Sequence, residues 1–307
     1  MDGRESVISA GASAAARNKR FIVWFFLLNL LLAWFGAAAF TANAQNILDH
    51  SLYADKLLHG FDLAVFLEMI RGPEFGSLRN STAPSTLCAI LFLLASLLFM
   101  PGVLLGYSSD HRISREEFFR ACGHNLWRFV RLFVFYALIA GITAGILFGI
   151  KGALVAAVDD AANDDRLLFL TKALSIVVIF LISTAIRAWF DIAQTDAVLR
   201  DQTAVRRSIT WAFRATRRNI GSLLGTYILI AILGLIVLTV GIVIWHAIVP
   251  PSSVLGAFLV SQAVLLLLLA MRFWQRASAV AFCLRQAAEP ETMQVPLGTP
   301  TTALSRP

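Results

Sequence analysis

The sequence predicts an all-α fold, a polytopic transmembrane helix bundle of six spans with two cytoplasmic amphipathic elbow helices and one external amphipathic helix. Three observations carry that reading. The 307 residues are 58% hydrophobic and only 15% charged, with mean hydropathy +0.73, too little charge to cover a water-soluble surface of this size. Apolar runs of 20 residues or more recur along the chain, each long enough to cross about 30 Å of hydrocarbon. Lys and Arg gather at alternate ends of those runs, the pattern of the positive-inside rule.

Residues 1–20 are small and polar and end in Arg17, Lys19 and Arg20. They are expected as a disordered cytoplasmic N-terminus that supplies the positive flank of the first span, 21–40. Asn29 is the strongly polar member of that span and is expected to face another helix. The run ends in Ala42-Asn43-Ala44, an A-x-A pattern. It reads as an uncleaved signal-anchor, because signal h-regions are shorter, about 7–15 residues; cleavage after Ala44 is the alternative. Residues 46–72 read as an external helix stopped by Gly72-Pro73. Asp55, His59 and Asp62 share one face of it, with His50 a turn away. Imidazole and carboxylates at that spacing are low-ranked metal candidates, the wet face of an amphipathic helix being the plainer reading.

The second span, 84–107, is expected to break near its inner end at Pro101-Gly102, where proline removes a backbone hydrogen bond. Ser114-Arg-Glu-Glu117 is a capping box that opens a basic amphipathic helix. There Phe118, Phe119, Cys122, Leu126 and Phe129 oppose Arg120, His124, Arg128 and Arg131, and the helix leads into the third span, 129–150. Asp159, Asp160, Asp164 and Asp165 form an acidic external loop without the glycine and ligand order of a calcium loop. The fourth span, 167–189, carries Arg187/Asp191 and Asp196/Arg200 as i, i+4 pairs, so helix is expected to continue past it. The fifth and sixth spans are 222–246 and 254–273. Residues 287–307 read as a disordered cytoplasmic tail, which leaves 21–286 as the membrane domain.

Between the fourth and fifth spans lies the most basic stretch, Arg200–Gly221. On a helical wheel Val205, Ile209, Ala212, Phe213, Thr216 and Ile220 oppose Arg206, Arg207, Arg214, Arg217 and Arg218, with Trp211 at the seam. Such a helix lies flat, with arginines among anionic headgroups. Counting Lys and Arg over this layout places 20 on the proposed inner side and five on the outer, with Lys172 within a span. Both termini are therefore expected in the cytoplasm, and a bacterial inner (plasma) membrane is the expected location. Although the pI is near 9.8, the cations border apolar runs, so the expected partners are the lipid bilayer, anionic lipids and a protein on the cytoplasmic side, not nucleic acid.

The two elbows align at an offset of 94 residues: Phe119–Asn125 (FRACGHN) and Phe213–Asn219 (FRATRRN) share Phe, Arg, Ala and Asn. Each precedes a span of the same direction, the arrangement of a parallel internal repeat. Asn125 and Asn219 fall on the apolar side of both wheels. The segments AVRRSITWAFRATRRNIGSLLG (Ala204–Gly225) and EEFFRACGHNLWRFVR (Glu116–Arg131) resemble the six-span membrane domain of bacterial glycerophosphodiester phosphodiesterases, which also occurs alone in membrane proteins of unassigned function. The resemblance covers residues 85–285. It implies an architecture and no activity, since in those enzymes catalysis belongs to a separate soluble barrel.

No H-E-x-x-H, G-x-S-x-G, Walker A or C-x-x-C pattern occurs, and Cys88, Cys122 and Cys283 lack metal-ligand spacing. No cofactor or catalytic residue is therefore expected. The leading reading is a non-enzymatic protein in transport, or transporter assistance, for an apolar or lipid-like substrate. A scaffold whose eight elbow arginines (Arg120, Arg128, Arg131, Arg206, Arg207, Arg214, Arg217 and Arg218) bind anionic lipid or a cytoplasmic partner is the alternative. A membrane enzyme with an external metal site is the second alternative.

Overall fold

The structure, a computed structural model, describes residues 6–48, 64, 67, 78–161, 165–202, 204–250 and 253–288. The proposed metal candidates Asp55, His59 and Asp62, and most of the 46–72 segment, lie outside the described residues, as do residues 289–307. Among the described residues eight helices follow in order: α1 (Val7–Arg17), α2 (Lys19–Leu48), α3 (Leu78–Ser108), α4 (Arg115–Ala161), α5 (Asp165–Leu199), α6 (Val205–Arg218), α7 (Ile220–Ile248) and α8 (Val254–Ala288). Among the described residues there is no strand. All but α1 and α6 are long and apolar enough to cross a membrane. Their outward faces carry large apolar side chains such as Trp34, Phe35, Phe169, Leu174 and Val254. In water such a belt would be a severe liability; in a bilayer it is the solvated surface.

α8 is the axis of the bundle. It packs against α1, α2, α3, α5 and α7, and its second half, from Phe273 to Cys283, is almost wholly buried. Two apolar cores meet along it. One joins α1, α2, α3, the start of α4 and α8 around Phe21, Phe118 and Phe273. The other joins α5, α6, α7 and α8 around Ile192, Tyr227 and Ala279.

Several elements depart from the sequence reading. Residues 6–20, expected as part of a disordered flank, are ordered: Ser6 caps α1 by accepting from the Ser9 amide, and the helix lies against α8. Its buried face is Ala10, Gly11, Ala14 and Ala15, a ladder of small residues that lets two backbones approach closely. Trp274 Nε1 donates to the Ile8 carbonyl at 3.0 Å, and Asn18 Nδ2 donates to the Gly106 carbonyl at 3.1 Å. α3 does not break at Pro101-Gly102 but runs unbroken to Ser108. What the Gly provides there is space: the Phe118 ring of α4 lies 2.6 Å from where a Cβ would stand. α2 continues helically through Ala42-Asn43-Ala44 to Leu48, and α5 continues past the fourth span to Leu199, as the i, i+4 spacing leads one to expect.

Gly11 tests the docking of α1. A Cβ at this position would stand 2.7 Å from the Ser278 backbone nitrogen, so Gly11→Leu forces the helices apart, at a cost of about 1–3 kcal/mol for overpacking. Limited trypsin digestion of the detergent-solubilised protein should then cleave after Arg17 several-fold faster than in wild type. An unchanged rate would show that α1 is not held by this contact.

Candidate functional site at the elbow end of the bundle

The N-terminal helix, the end of α3, both elbows and the second half of α8 share one end of the molecule, tied by contacts from Asn18 to Gly106, from Arg20 to Ile113 and from Trp274 to Ile8. The first elbow is the opening of α4. Its capping box forms as the spacing demands: the Ser114 amide donates to Glu117 Oε2 at 2.8 Å, and the Glu117 amide donates to Ser114 Oγ at 3.1 Å. The elbow and the third span are one 47-residue helix. The second elbow, α6, is a separate helix ended at Asn219.

On α6 the face against α5 is Val205, Ser208, Ala212, Ala215 and Thr216, with Trp189 Nε1 donating to the Ile209 carbonyl at 2.9 Å. Phe213 and Ile220 are exposed instead of joining that face. The apolar side of the wheel is thus divided between a protein-facing half and an outward half. Arg206, Arg207, Arg214, Arg217 and Arg218 are all exposed. On the first elbow, Phe119 is exposed beside the buried Phe118. Arg120 pairs with Glu116, Arg131 lies over the Trp127 ring at 5.2 Å, and Arg128 reaches Asp201. Asn125 Nδ2 donates to the Ala121 carbonyl at 3.1 Å, and Asn219 Nδ2 donates to the Ala215 carbonyl at 3.2 Å. Each amide thus bonds the carbonyl four residues before it.

Asp201, between α5 and α6, holds the elbows together. It has φ +49°, a left-handed conformation that aspartate tolerates better than most residues. Its carboxylate accepts from Arg128 Nη1 and from His124 Nε2. The Arg128 guanidinium, and then His124, hold the Asp201 carboxyl below its ordinary value.

The sequence reading missed what lies behind the elbows. Asp191 is buried on α5, yet it makes no ion pair with Arg187 four residues before it. Its Oδ2 accepts from the Tyr227 hydroxyl of α7 at 3.0 Å and from Arg272 Nη1 of α8 at 3.4 Å. Gln275 extends the network, accepting from Arg272 at 3.3 Å and donating to the Tyr227 carbonyl at 3.3 Å. Beside this node is a cavity of about 150 Å³ between α3, α4, α5 and α8. Arg187, Asp191, Gln194, Arg272 and Arg276 form its polar wall, while Leu93, Leu97, Met100, Phe133 and Phe190 form its apolar wall. Leu93 is itself exposed on the bundle surface, so the cavity reaches the apolar belt.

The charges do not balance. Three guanidiniums line the cavity, and Asp191 is the one carboxylate among the described residues lining it. Among the described residues Arg187 Nε and Arg276 Nε are buried without a hydrogen-bond partner, and Arg276 Nη1 donates to the Met100 thioether sulfur at 3.0 Å. Buried arginine donors ordinarily find carboxylates, carbonyls or water. Asp196 behaves differently, being paired at 3.1 Å with Arg200, the residue just past the end of its own helix. Among the described residues no cluster of three or more metal-ligating side chains occurs.

No protein-family model, curated protein or solved structure matches the chain.

Two outcomes test this geometry. Tyr227→Phe removes a donor from a buried carboxylate and should lower stability in detergent by about 1–3 kcal/mol, read as a lower midpoint of thermal unfolding. A wild-type midpoint would remove Tyr227 from the network. The elbow latch is pH-dependent with a defined sign. Because the folded Asp201 value is depressed, its stabilisation is present above the ordinary aspartate value near 3.9 and is lost as pH falls through the lower folded value. Hydrogen exchange at 199–207 should therefore rise in acid beyond the intrinsic rate change, and Asp201→Asn should raise it already at neutral pH. Identical protection in the variant would contradict the latch.

Proposed function

We propose that this is a non-enzymatic integral membrane protein of a bacterial inner membrane, with its elbows and both termini in the cytoplasm. It would bind an anionic, lipid-like amphiphile in transport or in assistance to a transporter. The observation that carries this reading is the cavity behind the elbows, cationic at one wall, apolar at the other and continuous with the bundle surface at Leu93. Arginines held near a bilayer without carboxylate partners are costly, and such residues belong to binding or conduction sites far more often than to scaffolding. A volume of about 150 Å³ is smaller than the 300–1,000 Å³ of sites that enclose whole drug-sized ligands. It suits a headgroup whose chain stays outside among the apolar side chains.

The matching hydrogen bonds of Asn125 and Asn219 support a parallel repeat, and the likeness of the elbows to the membrane domain of glycerophosphodiester phosphodiesterases is compatible with it. The exposed arginines of α6 favour the scaffold reading, in which the elbows themselves hold anionic lipid or a partner. One experiment separates the two. The protein is purified from native membranes in mild detergent, and bound lipid is identified by mass spectrometry. The cavity reading expects anionic lipid to remain with wild type and with a variant in which Arg206, Arg207, Arg214, Arg217 and Arg218 are changed to Gln, and to be lost from Arg187→Gln/Arg276→Gln. Loss from the elbow variant with retention in the cavity variant would assign lipid binding to the elbows and overturn the cavity reading.

A further inference from the structure

We propose that the headgroup held in this cavity is a phosphomonoester, a terminal phosphate carrying two negative charges, and that Asp191 is the resident counter-ion that sets this requirement. The inference rests on the reading of the cavity as a lipid-like site and adds the chemistry of its ligand.

Charge is the first argument. Arg187, Arg272 and Arg276 contribute three positive charges to the cavity wall, and Asp191 returns one. The surplus of two borders an apolar wall of Leu93, Leu97 and Phe133, and ions taken out of water without a partner cost several kcal/mol each. A phosphodiester headgroup brings one negative charge and leaves the site unbalanced; a phosphomonoester brings nearly two near neutral pH.

Hydrogen-bond capacity is the second argument, and it is independent of the first. A terminal phosphate presents three unesterified oxygens, a diester two. Among the described residues the buried Nε atoms of Arg187 and Arg276 have no hydrogen-bond partner, and Arg276 Nη1 donates to a thioether, a weak acceptor. Arg187 and Arg276 both line the cavity, so guanidiniums from two helices border one small volume, the arrangement that recognises a compact multi-oxygen anion. Asp191 does not use these donors. It is turned instead to Tyr227 and Arg272, so it limits the surplus without filling the cavity. Arg272, which is partly exposed and bonded to both Asp191 and Gln275, stands at the edge of the site.

The test is a binding titration of the full-length protein in neutral detergent, followed by native mass spectrometry. Phosphatidic acid is the monoester probe, phosphatidylglycerol the diester and phosphatidylcholine the zwitterion, with glycerol phosphate and inorganic phosphate as soluble competitors. Phosphatidic acid should bind at least about tenfold more tightly than phosphatidylglycerol, because one more charge meets the guanidiniums in a medium of reduced dielectric. Arg187→Gln and Arg276→Gln should each weaken phosphatidic acid by roughly tenfold to a hundredfold, the worth of a charged hydrogen bond. Asp191→Asn keeps the acceptor for Tyr227 while removing the counter-charge, so it should tighten phosphatidylglycerol several-fold. That gain of binding cannot come from a variant that merely misfolds. Equal affinity for monoester and diester in wild type, with both weakened by the arginine variants, would overturn the phosphomonoester assignment and leave the lipid reading standing. Displacement of phosphatidic acid by inorganic phosphate at comparable concentration would assign the site to a soluble anion. Binding of none of the lipids would overturn both readings.

Discussion

The structure depends on a carboxylate that cannot be left alone. Asp191 is 4% exposed, near the end of a membrane-spanning helix, and an ionised carboxylate there must be paired or solvated by fixed dipoles. Tyr227 from α7 and Arg272 from α8 supply those partners, and in doing so they bring three spans to one point. The apolar cores on either side could slide by a turn of helix at modest cost, since hydrocarbon side chains resemble lipid and little drives them together. A buried ion pair with a specified hydroxyl is far less tolerant of slippage, so this node sets the register of α5, α7 and α8.

From that register the rest of the elbow end follows. Holding α8 in place positions Ser278 to receive the small-residue face of α1 and positions Trp274 to bond Ile8. Holding α5 in place positions Asp196 against Arg200 and carries the chain to Asp201, whose carboxylate ties the second elbow to the first through Arg128 and His124. The same placement turns Arg187 and Arg276, each one helical turn from a member of the node, into the cavity between α3, α4, α5 and α8. The site and the scaffold are therefore built from one network.

What could be read from the chain alone divides along the range of the interactions. Six apolar helices were legible from hydropathy, and the Ser114–Glu117 capping box from four residues of sequence, because both are local. The continuation of α5 to Leu199 was legible from i, i+4 charge spacing, yet the same spacing assigned Asp191 the wrong partner. A one-helix argument sees Arg187 and has no means of seeing Tyr227 and Arg272, 36 and 81 residues away. The N-terminal helix was missed because its residues are small and polar, a composition that usually means disorder. The signal that could have revealed it is the helical spacing of Ala10, Gly11, Ala14 and Ala15 behind a serine cap. The elbow wheel correctly separated arginines from apolar residues. It could not divide the apolar side between a buried and an exposed half, so the exposure of Phe213 was not foreseen. The cavity left a faint trace in the sequence as polar side chains clustered at the ends of apolar runs, at 187–194 and 272–276.

The central claim is that the guanidiniums of Arg187 and Arg276, both on the cavity wall, hold an anionic headgroup whose chain leaves past Leu93. It is tested most directly by an electron cryo-microscopy map of the full-length protein purified from its native membrane in mild detergent. The account predicts compact density within hydrogen-bond distance of both guanidiniums, continuous with a tail along Leu93 and Leu97. A well-resolved map in which that volume is empty, with Arg187 or Arg276 folded onto Asp191, would contradict it.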